Sequence, residues 1–174
     1  MEAPLENRIG RLLIQRGQKL VLAESCTGGL LGHLITNVPG SSEYFLGGVT
    51  AYSYEAKQSL LGVKPETLIQ FGAVSRETVL EMAQGVRRLF SNQVAEDGLV
   101  GVAVSGIAGP SGAQPGKPVG LVWIGLSAVE GNWAAAFFGQ GNREENKAFS
   151  ALCALEALHA YLERKLPLGK SGGT

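Results

Sequence analysis

Apolar residues at Leu5, Ile9, Leu12 and Leu13 recur at helical spacing, which predicts a helix over residues 5–15 stopped by Gly17. The run K-L-V-L-A at 19–23 reads as a short buried strand. The chain then turns through E-S-C-T-G-G into a helix over 28–37, and Pro39-Gly40-Ser41-Ser42 forms a loop. Residues 46–52 predict a second strand, weakened by Gly47 and Gly48, and 55–61 and 65–70 predict two short helices. Ser75, with Glu77 close behind, reads as the N-cap of a helix reaching Phe90. L-V-G-V-A-V at 99–104 is continuously apolar, as in a strand covered on both faces. A Gly/Pro-rich loop spans 105–118. Strands at 119–128 and 133–138 flank the turn Glu130-Gly131-Asn132, a hairpin signal. A last helix covers 144–165, with Phe149, Leu152, Leu155, Leu158 and Leu162 on its core face.

Strands alternate with helices over the first two thirds, and a hairpin comes late. The expected fold is therefore α/β, a three-layer α/β/α sandwich whose sheet is mostly parallel with a late antiparallel hairpin. The 174 residues suit one domain over 1–165, with a Gly/Ser-rich flexible tail over 166–174. Composition narrows the function classes. Fifteen basic and fifteen acidic residues balance and form no basic stripe, which argues against nucleic acid as a partner. No apolar run is long enough to span a membrane, and the N-terminus lacks the apolar core of a signal peptide. Two cysteines, Cys26 and Cys153, make no disulfide framework, so the expected setting is cytoplasmic and soluble. The 25 glycines are scattered among apolar runs, which suggests tight turns and close approach of backbone to a ligand.

Four segments carry candidate chemistry. Ser25 falls where a buried strand ends and a helix begins, beside free N–H groups that could hold an oxyanion or a ligand anion. Cys26, Thr27, Gly28 and Gly29 share that turn. Ser25 or Thr27 acting only as a helix cap is the plainer alternative, and Cys26 is a rival nucleophile. Tyr52 and Lys57 lie at the end of the second strand and in the helix after it. A serine nucleophile needs a base, and both histidines are badly placed, His33 in an apolar helix and His159 in the last one. A lysine serves if desolvation brings its pKa down toward 7–8; otherwise Lys57 is an ordinary surface cation. S-G-I-A-G-P-S-G, containing Gly106, Ala108, Gly109 and Ser111, suits the cradling of a phosphate by backbone N–H groups, although it is neither a Walker motif nor a dinucleotide fingerprint. Arg143 in G-Q-G-N-R can clasp a phosphate or carboxylate, and Asn142 can cap the last helix.

Taken together, A-E-S-C-T-G-G, Tyr52-Ser53 with Ala56-Lys57, Val74-Ser75, G-I-A-G-P, K-P-V-G and Gly141-Asn142-Arg143 stand in the order seen in the CinA C-terminal domain family, the nicotinamide-nucleotide amidases, which this chain resembles from Ile9 to Leu162. The resemblance implies an α/β domain that converts nicotinamide mononucleotide and water to nicotinate mononucleotide and ammonia, in pyridine nucleotide salvage. It implies no metal and no cofactor, a catalytic pair of Ser25 and Lys57 assisted by Tyr52, and a possible homo-oligomer. In many relatives the domain follows a molybdopterin-binding-like domain. Three departures stand out: Tyr54 where the family usually has Asn, Ala113-Gln114 after the glycine loop, and Asn146-Lys147 where an aliphatic residue and Arg are usual. They bear on substrate affinity more than on catalytic machinery. A nucleotide-binding or protein-interaction module without activity, and an amidase for another amide, are the alternative readings.

Overall fold

The computed structural model describes residues 3–165. The expected tail over 166–174 lies outside the described residues. Six helices, α1 (Leu5–Arg16), α2 (Leu30–Thr36), α3 (Tyr54–Leu61), α4 (Pro65–Phe71), α5 (Arg76–Phe90) and α6 (Arg143–Leu162), surround a sheet built from β1 (Lys19–Glu24), β2 (Phe45–Thr50), β3 (Leu99–Gly106), β4 (Leu121–Ala128) and β5 (Gly131–Phe138). The strand order is β2-β1-β3-β4-β5. β1 pairs in parallel with β2 and β3, and β4 pairs antiparallel with β3 and with β5, so four of the five strands run the same way.

Alternation along the strands sorts the core into two halves. Leu20 and Leu22 of β1, Val100, Val102 and Val104 of β3, and Val122, Ile124 and Leu126 of β4 meet the apolar faces of α1, α2 and α6. Val21, Ala23, Leu99 and Ala103 point the other way, toward Leu61, Val63, Leu68 and the α5 residues Val79, Met82, Ala83 and Val86. This is the three-layer sandwich expected from the sequence, and β3, wholly buried but for its last residue, is its spine.

The differences from the sequence reading have local causes. The second helix starts at Leu30 rather than 28, because Gly28 and Gly29 take positive φ angles of 61° and 100° and complete a turn first. The second strand ends at Thr50, since Ser53 caps α3 through its hydroxyl, which accepts from Ala56 N at 3.0 Å. Ser105 and Gly106 belong to β3 rather than to the loop, and β4 starts at Leu121, after Gly120 turns with φ 91°. Leu152, expected on the core face of the last helix, is 46% exposed; Cys153, Ala154 and Leu155 turn inward instead. Both expected caps form. Ser75 Oγ accepts from Thr78 N, and Asn142 makes a reciprocal capping box with Glu145.

Three glycines leave room for backbone where helix α5 meets its neighbours. A Cβ on Gly101 would stand 2.4 Å from Ala83 O, one on Gly125 2.6 Å from Val79 O, and one on Gly85 1.9 Å from Leu61 O. The last contact seats the C-terminal end of α3, the helix that carries Lys57, on α5. Helix propensity favours Ala over Gly by about 1 kcal/mol, but overpacking a dense core costs about 1–3 kcal/mol or more. Gly85→Ala is therefore expected to lower stability, opposite in sign to its propensity, and urea unfolding of the variant checks it.

Candidate active site

The site lies at the carboxyl ends of β1 and β3, where open α/β sheets place their ligand crevices. Ser25 follows β1 directly. Its N–H donates to Val104 O at 2.9 Å, so the backbone is still tied to β3 when the chain begins to turn, and the side chain is buried. Lys57 comes from the first turn of α3, started by the Ser53 cap, and is 1% exposed. The two meet: Lys57 Nζ lies 2.9 Å from Ser25 Oγ. Nζ also donates to Ala51 O at 2.8 Å and, more weakly, to Tyr52 O at 3.4 Å.

This arrangement suits an uncharged amine. Neutral Nζ has two hydrogens for the two carbonyls and one lone pair, which faces the Ser25 hydroxyl; the ammonium donates to all three oxygens. Burial lowers the Lys57 pKa to about 8, against the smaller opposing pull of Cys26. Among the described residues no carboxylate forms an ion pair with it. Cys26 is unsuited as a nucleophile: burial raises its thiol to about 11, more than Ser150 and its own backbone lower it.

A cavity of about 270 Å³ opens in front of the pair. Its lining includes Ser25, Cys26, Tyr52, Lys57, Gly106, Ala108, Gly109, Ser111 and Arg143 from the sequence-based set. Lys57 and Arg143 are the only charged residues in that lining, and both are basic. Thr27, Gly28 and Gly29 do not line it. Gly28 N–H donates to Ser25 O at 3.0 Å and Gly29 N–H to Glu24 Oε2 at 3.1 Å, so neither is available to a substrate oxyanion. Thr27 is buried, its hydroxyl without a hydrogen-bond partner among the described residues.

Tyr52 is placed differently from the expected proton relay. The residue is 60% exposed, and its hydroxyl accepts from Arg143 Nη2 at 3.0 Å, while only its backbone carbonyl meets Lys57. Arg143 Nη1 donates to Gly109 O at 2.7 Å, so the guanidinium straps the glycine loop to Tyr52 at the cavity mouth. The loop is further held where Gln114 and Lys117 form an isolated bridge and Lys117 Nζ donates to Phe71 O.

Four side chains that sequence reasoning did not single out, or read otherwise, shape the site. Glu24, 4% exposed, accepts from the N–H groups of Gly29, Leu31 and Gly32 at 2.8–3.1 Å and caps α2. Its position beside Ser25 in the motif was the available signal. Ser105 Oγ donates to Ala73 O at 2.7 Å and fixes the opposite wall. Tyr54 joins that wall, its hydroxyl accepting from Ala73 N at 3.3 Å. Asn146 uses both donors and its carbonyl oxygen: Nδ2 donates to Ala108 O at 3.0 Å and Gly141 O at 2.9 Å, and Oδ1 accepts from Gly141 N at 3.1 Å. The polar residue at this aliphatic position is thus a clamp on the cavity loop. Of the two histidines, His33 is exposed and His159 contacts Arg8 at 2.9 Å, and neither lines the cavity.

Comparison with known proteins identifies the family of the chain. The model of the CinA C-terminal domain matches residues 2–162. A CinA-like protein of Thermotoga neapolitana is 45% identical over 162 residues, covering 92% of this chain and 38% of that protein, and one of Desulforapulum autotrophicum is 47% identical over 155 residues, covering 88% and 35%. The chain thus spans little more than a third of the length of these relatives. Among solved structures, a CinA superfamily protein of Klebsiella pneumoniae has a TM-score of 0.83 at 34% identity, covering 92% of this chain and 96% of that one. A competence/damage inducible protein of Agrobacterium tumefaciens has a TM-score of 0.79 at 37% identity, covering 94% and 99%. The chain, with its buried Ser25–Lys57 pair at the end of the sheet, belongs to the CinA C-terminal domain family.

Proposed function

We propose that this domain is an amidohydrolase that converts nicotinamide mononucleotide and water to nicotinate mononucleotide and ammonia. The observation that carries the reading is the 2.9 Å contact between Ser25 Oγ and a buried lysine amine that burial holds near pKa 8. At pH 7 such an amine is neutral in about a tenth of the molecules, enough to act as a base. Neutral Lys57 takes the Ser25 proton while Oγ bonds to the carboxamide carbon. Negative charge on the carboxamide oxygen is met by backbone N–H groups; that of Cys26, which lines the cavity beside Ser25, is a candidate. The C–N bond breaks as the Lys57 ammonium passes its proton to the departing nitrogen, which leaves as ammonia. Water then attacks the acyl-enzyme, giving a proton to Lys57, and the ester bond breaks to release the acid and restore Ser25.

The absence of acidic residues from the cavity lining supports an anionic substrate. Arg143 uses two N–H groups on Gly109 and Tyr52 and keeps others for a phosphate at the mouth. Tyr52 assists by positioning that guanidinium. The site calls for no metal in this chemistry.

Ser25→Ala is expected to abolish ammonia release from nicotinamide mononucleotide with the melting temperature nearly unchanged. A protein that only binds would give a thermal shift with the nucleotide and no ammonia even as wild type.

The lowered Lys57 pKa sets a second expectation. The base must be neutral, so kcat/KM should rise about tenfold per pH unit below pH 8 and level off above it. The same shift costs stability. An unfolded-state lysine near 10.5 against a folded value of about 8 corresponds to a penalty of about 3 kcal/mol, present in full below pH 8 and lost as pH rises toward 10.5. Lys57→Met should therefore be inactive yet more stable than wild type at pH 7, its advantage shrinking above pH 8. Part of the gain is offset because the Ala51 and Tyr52 carbonyls lose a donor. Thermal melts across pH measure the difference.

A further inference from the structure

The backbone of β3 carries a recognition element just beyond the point where β1 ends. β3 lies between β1 and β4. Ile107 N–H donates to Leu121 O at 2.8 Å, and Ile107 O accepts from Gly120 N at 2.7 Å, so both groups of Ile107 face β4. In a planar trans peptide the C=O and the N–H point in opposite directions. Gly106 C=O and Ala108 N–H, the other halves of these two trans units, therefore face the β1 side.

No strand meets them there. The last bond of β1 toward β3 is Ser25 N–H to Val104 O. Continued in parallel register, Thr27 would donate to Gly106 O and accept from Ala108 N–H. The chain turns instead, and Thr27 O accepts from Leu30 N at 3.2 Å. Among the described residues, Ala108 N–H meets no protein acceptor. Ser25, Gly106 and Ala108 all line the cavity.

We infer that the carboxamide of the substrate takes this open place in the ladder, its N–H donating to Gly106 C=O and its oxygen accepting from Ala108 N–H, with Ser25 Oγ alongside. This rests on the amidase reading and deepens it. A primary carboxamide presents a donor and an acceptor on one edge, as Thr27 would have done. When Ser25 attacks, Ala108 N–H faces the oxygen that gains negative charge. The carboxylate product sets an oxygen against Gly106 O and is repelled, which favours release of the acid. The loop is held for the task from α6, since Asn146 Nδ2 draws Ala108 O toward that helix and Arg143 holds Gly109 O. Gly106 has no room for a side chain: a Cβ there would stand 2.9 Å from Leu121 O and 3.1 Å from Cys26 Sγ.

Three measurements test the dock. In 15N-labelled Ser25→Ala protein, nicotinamide mononucleotide should move the Ala108 amide proton downfield, and nicotinate mononucleotide should not. Replacing Ala108 by lactic acid, which keeps the methyl group and exchanges the N–H for an ester oxygen, should lower kcat about 100-fold with little change in KM. The N-methylcarboxamide analogue, whose methyl group lies on the edge facing Gly106, should bind the Ser25→Ala protein at least about tenfold more weakly. Ammonia release with a silent Ala108 resonance, an undiminished lactate-ester enzyme or equal binding of the N-methyl analogue overturns the dock and leaves the amidase reading standing. A responsive Ala108 resonance without ammonia from the wild type overturns the amidase reading alone. Silence in both overturns both.

Discussion

An amine buried without a carboxylate partner is the constraint around which the domain is arranged. Lys57 is almost fully withdrawn from water, and its contacts are two carbonyls and a hydroxyl. An opposite charge at that position would hold the lysine protonated and unfit for the role of base proposed for it. The surroundings are built to avoid this. Glu24, the nearest acid in the chain to Ser25, turns its carboxylate onto the N–H groups of α2. The amine is placed by elements that each have their own reason to be there. The Ser53 cap starts α3, the seat of Leu61 on Gly85 ends it against α5, and Ser25 is held by its bond to Val104.

The fold was legible because its signals are local and agree with one another. The continuous run at 99–104 became β3, and Ser75 and Asn142 became caps. What failed was phase and placement. Leu152 fits an apolar pattern yet faces outward, because α6 is rich in small residues that already fill the space beneath it. Ser25 and Lys57 could be nominated from residue types, but their meeting depends on β1 and β2 pairing in parallel, a contact across 32 residues. The direction of the Tyr52 hydroxyl and the use of Gly29 N–H by Glu24 depend on rotamers and peptide orientation, which no spacing reveals.

Asn146 shows why a departure from a family pattern is a weak guide to loss. Judged by residue type, an amide at an aliphatic position in a core-facing helix costs stability unless its hydrogen bonds are met. Here every donor is used, and the partners are the backbone of the cavity loop and of the turn before α6. With Arg143 one helical turn away acting on Gly109, the last helix holds the shape of the loop at two consecutive carbonyls.

The carboxylate of Glu24 has an effect that reaches the orientation of a guest molecule. By saturating the first amides of α2 it removes the positive pole that such a helix would otherwise offer to an anion. Attraction for a dianion is left at the rim, on Arg143. On the function proposed above, a nucleotide would enter head first, its charged tail trailing in the doorway and its uncharged end reaching the serine.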